Sequence, residues 1–175
     1  MKYIGISGSW GNTSLEMEKA IRDDVKATIE RGDGIVSGGA LGTDFIALDE
    51  ALKCNPDATQ IKIIIPTPLE VYTNHYFNRA REGVISMDQA RRLAEQLKTL
   101  RDANPDSLIE MSHAVCNQET YFDRNTKVVE ASDELLAYRV NMSEGTTDTI
   151  EKAKRAGMPV HVRDYDIPQI SGQRR

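Results

Sequence analysis

The chain has 175 residues, with 22 Lys+Arg against 27 Asp+Glu and a formal net charge of −5. That length accommodates one domain with a full layered core, and 39% hydrophobic against 28% charged residues is a globular balance, not a disordered one. No apolar run approaches the roughly 20 residues of a membrane-spanning helix, and the acidic balance counts against coating nucleic acid through bulk charge.

The opening MKYIGISGS carries one Lys and few apolar residues before turn formers, unlike a signal peptide. Cys54 and Cys116 lie far apart in no pair motif, so reduced thiols in a cytoplasmic protein are expected. Tyr3 to Ile6 predicts a short strand running into the Gly/Ser turn Ser7–Ser14. Met17, Ile21, Val25 and Ile29 then fall four apart on one helix face, with Thr13 or Ser14 as cap. Gly34-Ile35-Val36 predicts a second strand, SGGALGTD spans Ser37 to Asp44, and Phe45 to Leu52 continues as helix. Ile61 to Ile65 is the most apolar strand, and such a run predicts a central position buried on both faces of a parallel sheet. Tyr72 to Glu82 reads as a short helix, and Met87, Ala90, Leu93, Leu97 and Leu100 follow helical spacing to Asn104-Pro105. Ser107 to Asn117 reads as a weak strand or loop, Gln118 to Ser132 as helix and Glu134 to Val140 as buried strand. Asn141 to Thr147 predicts a Gly-containing turn, Thr149 to Ala156 a helix and Met158 to Val162 a last strand.

Strands alternating with helices predict a doubly wound α/β fold, Rossmann-like, with a mostly parallel sheet and helices on both faces. The expected domain is 1–166, with 87–103 as a helical insertion and 167–175 as a flexible C-terminal tail. Ligands of such sheets bind beyond the C-terminal strand ends. The turns after Ile6, Val36 and Val140 would converge there.

SGGALGTD is the sharpest local feature. Its three glycines, Gly38, Gly39 and Gly42, let amides approach a ligand, and a helix starting near Thr43 or Asp44 offers free N–H groups to an anion. Asp44 either caps that helix or accepts a hydrogen bond from a ribose or base; a plain strand-to-helix connection is the structural alternative. Ser143 to Asp148 is a second such loop, with Gly145, Thr146 and Thr147 at a helix start. Trp10 either stacks a base or anchors its loop on the core. The SGGALGTD loop is neither GxGxxG nor a P-loop, so its spacing alone leaves phosphate binding and a plain connection open, and no cofactor is expected. His75, His113 and His161 lack metal-ligand spacing, so no metal is expected.

These segments resemble the SLOG superfamily, above all its DNA-processing protein A (DprA/Smf) family and its LOG phosphoribohydrolases. Ile35 to Asp44 is similar to the "ivSGgAxGiD" segment, and Tyr72-Thr73-Asn74 to the "YPxxN" step. Tyr121 to Val129 is similar to the "FxxRNxxia" helix, and Glu144 to Thr149 with Ala153 and Gly157 to the closing "GTxxtxxxAxxxgxpv" segment. The resemblance implies a nucleotide or nucleotide-derived phosphorylated ligand, extended in DprA-like proteins to single-stranded DNA, and a homodimer. It adds Arg124 and Asn125 to a ligand-binding set of Gly8, Ser9, Trp10, Ser37, Gly38, Gly39, Ala40, Gly42, Thr43, Asp44, Gly145, Thr146 and Thr147. Trp10 stands where DprA-like proteins commonly have Arg, and Thr149 stands where LOG enzymes carry their catalytic Glu. An N-glycosidic hydrolase is the alternative function, its carboxylate drawn from Asp44, Glu144 or Asp148.

Overall fold

A computed structural model describes residues 1–168. Of the expected tail 167–175, residues 169–175 lie outside the described residues, while the Ile167 backbone exchanges two hydrogen bonds with the Asn141 amide (2.8 and 3.0 Å). Six strands, β1 (Tyr3–Gly8), β2 (Gly34–Ser37), β3 (Ile61–Ile65), β4 (Leu108–Glu110), β5 (Glu134–Val140) and β6 (Val160–Tyr165), form one parallel sheet in the order β4-β3-β2-β1-β5-β6. The helices are α1 (Leu15–Glu30), α2 (Thr43–Cys54), α3 (Leu69–Arg81), α4 (Met87–Ala103), α5 (Gln118–Glu130) and α6 (Glu144–Arg155). No helix among the described residues is long and apolar enough to cross a membrane.

Alternation along each strand divides the core. Ile4, Ile6, Ile35, Ile63 and Ile65 face the layer of α1, α2 and α4; Val36, Ile64, Leu135 and Ala137 face α5 and α6. The chain steps outward from β1 to β4, then returns across the other face through α5 to β5. Right-handed crossovers place the two helix layers on opposite faces for this reason. The reversal makes β1 and β5 neighbours, so the switch point lies between their C-terminal ends.

The caps follow local chemistry. The Ser14 side chain accepts from Met17 N–H, and Ser86/Gln89 and Asn117/Thr120 form reciprocal capping boxes at the starts of α4 and α5. Two expectations change. Strand β3 is not central but lies next to edge strand β4, and is buried on both faces because α4 and α5 cover it. Helix α6 begins at Glu144, five residues before the helix expected from Thr149, so most of the expected turn is its first turn. The segment Ser107 to Asn117 is, as expected, a weak strand and loop: the three-residue β4 follows a 3-10 turn at Pro105–Ser107.

Candidate functional site

A cleft of about 830 Å³ opens at the C-terminal ends of β1, β2 and β5, roofed by α3 and closed laterally by α5 and the start of α6. Gly8, Ser9, Trp10, Gly38, Ala40, Asp44, Arg124, Asn125, Glu144, Gly145 and Thr146 all line it. The remaining expected residues stand behind it. Ser37 Oγ donates to Asp44 Oδ1 (2.8 Å) and Ile6 O (3.3 Å). Thr43 gives its N–H (3.0 Å) and hydroxyl (3.2 Å) to Ser9 O, tying the first two loops together. Gly42 (φ +73°) lies where a Cβ would stand 2.3 Å from Ser9 O. Gly39 (φ +65°) turns toward the core, where a Cβ would meet the Ile63 and Ile65 methyls at 2.8 and 3.0 Å. The Thr147 hydroxyl accepts from Arg139 (3.4 Å), and Asp148 Oδ2 accepts from Asn125 Nδ2 (3.1 Å) and Lys152 Nζ (2.8 Å).

The glycine-rich loop after β2 folds around its own carboxylate. Asp44 accepts from Ser37, from the Ala40 N–H (3.1 Å) and from the Gly38 N–H, and lies 3.7 Å from Arg124 Nη1. Burial pushes the Asp44 carboxyl above its ordinary value, opposed by Arg124 and these hydrogen bonds. Two amides that the sequence offers to a phosphate are therefore already used.

The hydrogen-bond donors left open lie on the other side of the cleft. The N-cap of α6, Ser143, makes no side-chain cap, so the first-turn N–H groups have no side-chain acceptor among the described residues. A Cβ at Gly145 would meet nothing within 4 Å. Asn125 Nδ2 donates to Gly145 O (3.4 Å), and its Oδ1 accepts from Arg124 Nε (3.2 Å). Arg124 is only 7% exposed; its Nη1 donates to Gly38 O, while Nη2 has no hydrogen-bond partner among the described residues. A guanidinium held on two sides with one edge free is preorganised for an anion.

Sequence reasoning missed the aromatic wall. His75 and Tyr76 from α3, and Tyr121 and Phe122 from α5, line the cleft. His75 meets Tyr76 and Tyr121 edge-on at centroid distances of 5.6 and 6.4 Å, and the Arg124 guanidinium lies 5.5 Å from the Tyr121 ring centre. Burial pushes the Tyr76 and Tyr121 hydroxyls up; burial and then Arg79 push His75 down. Each of these shifts favours the uncharged form of its group. Helical spacing of Tyr72, His75, Tyr76 and Arg79 was the available signal. Val84 and Ile85, from the turn between α3 and α4, also line the cleft and carried no signal.

No family model matches the chain. Over 168 residues it is 27% identical to the uncharacterized protein R261 of Acanthamoeba polyphaga mimivirus, a match covering 88% of this chain and 90% of that protein. It is similar to the structure of DNA processing protein A from Helicobacter pylori, described for its single-stranded DNA binding mode. There the TM-score is 0.67 at 18% identity, over 98% of this chain and 67% of that one. Against DprA from Streptococcus pneumoniae the TM-score is 0.61 at 19% identity, over 98% of this chain and 52% of the other. The chain thus spans about half the length of that DprA. The fold is the DprA-like, Rossmann-like one that the motifs led us to expect.

Proposed function

We propose that the cleft binds a nucleotide or nucleotide-derived ligand, its phosphate held between the start of α6 and the free edge of Arg124. The observation that carries this reading is the buried guanidinium with an unpartnered Nη2 in a cleft shared with the uncapped, open Gly145 turn. The His75–Tyr76–Tyr121 wall is a suitable surface for a flat base. Single-stranded DNA presents the same groups, and its binding by the H. pylori protein of this fold supports including it among the ligands.

Binding suits the site better than hydrolysis. Of the three carboxylates considered, Asp148 lies behind the cleft in a pair with Lys152, and Asp44 is enclosed by its own loop. Glu144 alone is exposed at the cleft, in contact with Gln118 (3.2 Å).

Thermal unfolding with nucleoside 5′-monophosphates and oligo-dT tests the reading. A ligand at a hundredfold its Kd should raise Tm by about 5–10 °C. Arg124→Met should remove that rise, as should Gly145→Leu, whose side chain enters open space and leaves the fold intact. No shift in the unsubstituted protein overturns the proposal. Release of free base that disappears in Glu144→Gln would move the assignment to an N-glycosidic hydrolase.

A further inference from the structure

Trp10 is not accounted for by the phosphate site and the aromatic wall. Its backbone is fixed. Ser9 O accepts two hydrogen bonds from Thr43, Ser9 N–H donates to Tyr138 O (3.3 Å), and Gly42 packs so closely that a Cβ there would stand 2.8 Å from the Trp10 carbonyl carbon. Yet the residue is 54% exposed. A loop-anchoring tryptophan would bury its ring and leave its backbone free; here the arrangement is inverted. The next loop of the sheet edge repeats it. Met142 follows β5, the neighbour of β1, and is 66% exposed, with both Asn141 and Met142 in the left-handed region (φ 48° and 55°). Non-glycine residues held in the left-handed region cluster at ligand sites. Both residues line the cleft.

The phosphate site therefore has flat or apolar groups on two sides. Tyr121 adjoins Arg124 on one, and the loop carrying Trp10 adjoins the β5–α6 loop on the other. The cleft volume, about 830 Å³, is toward the upper end of the roughly 300–1,000 Å³ of small-molecule sites.

We infer that the cleft takes a ligand of two bases joined through phosphate, the first against Tyr121 and His75 and the second stacked on Trp10. The inference rests on the nucleotide reading above and deepens it. The shared chemistry, two nucleosides bridged by phosphate, occurs in a stretch of single-stranded DNA and in a pyrophosphate-linked dinucleotide. A pre-ordered indole needs no further ordering to stack a base, and its contribution is insensitive to base identity.

Trp10 is the sole tryptophan, so its fluorescence reports on this position alone. Titrations with TMP, with pTpT and with NAD⁺ follow quenching and, independently, equilibrium dialysis. At least one two-base ligand should bind about tenfold more tightly than TMP and quench Trp10 more deeply. In Trp10→Ala the ratio of two-base to one-base affinity should fall toward one; the exposed ring makes this substitution safe for folding, which circular dichroism verifies. Preference for pTpT assigns the ligand to a nucleic-acid strand, and preference for NAD⁺ to a pyrophosphate dinucleotide. Equal affinities for all three overturn the inference while leaving the nucleotide reading standing. A two-base preference that survives in Trp10→Ala also overturns it, because the second base then lies elsewhere. Absence of binding by every ligand overturns both.

Discussion

Gly38 and Gly145 both line the cleft, and each lacks a side chain for a different reason. A Cβ on Gly38 would fall 1.6 Å from Arg124 Nη1 and 2.9 Å from Asp44 Oδ2, inside the pair that closes the loop. Gly38→Ala should therefore cost about 1–3 kcal/mol through overpacking and displace the guanidinium. Gly145 has no such neighbour and no positive φ, so Gly145→Ala should hold or raise stability by up to about 0.5 kcal/mol, since glycine is the poorer helix residue. The same methyl would stand over the α6 amides and weaken nucleotide binding severalfold. Urea midpoints and a nucleotide titration on both variants read the two effects apart. Full binding by Gly145→Ala would remove the phosphate from the α6 start. The glycine-rich segments were legible as the cleft, but not which glycine has open space beside it. Gly39 answers to Ile63 and Ile65, and Gly8 to the Thr43 hydroxyl, neighbours that only the folded chain supplies.

At the scale of elements, α4 packs into the core of this chain. Ala90, Leu93, Leu97 and Leu100 are buried, and Leu97 approaches Gly39, so the helix backs the glycine-rich loop as well as β3. Leu97→Ala should cost about 2–5 kcal/mol, as for a large-to-small change in a packed core, seen as a lower urea midpoint with an unaltered slope. A cost under about 1 kcal/mol would show α4 to be a loosely docked appendage. Periodicity made α1, α4 and β5 legible because each carries its own burial pattern. It failed where burial comes from elsewhere: β3 has the apolar run of a central strand because two helices cover it near the sheet edge. The start of α6 was hidden for a related reason. Ser, Gly and Thr read as turn residues, yet a first helical turn tolerates them because its N–H groups lack intrahelical partners anyway.

For the whole molecule, the charge of −5 and the proposed anion site are compatible because several cations outside the cleft are paired with acids of the same chain. Arg22 is bound by Asp49 and Glu50, Arg163 by Asp24, Arg139 by Asp164 and Lys152 by Asp148. A strand entering the cleft thus meets one buried arginine and one helix start, and releases few counterions. The dependence of log K on log salt for oligo-dT should then be shallow, about −0.7 to −1.4 for one or two neutralised phosphates. Measuring affinity at four salt concentrations between 50 and about 300 mM gives the slope. The alternative surface is specific: Arg81, Arg91, Arg92, Lys98 and Arg101 on α3 and α4 have no ion-pair partner among the described residues. A slope steeper than about −3 would mean that this face grips the backbone as well. Arg91→Glu with Arg92→Glu should then flatten it, whereas cleft-limited binding would keep its slope in that variant.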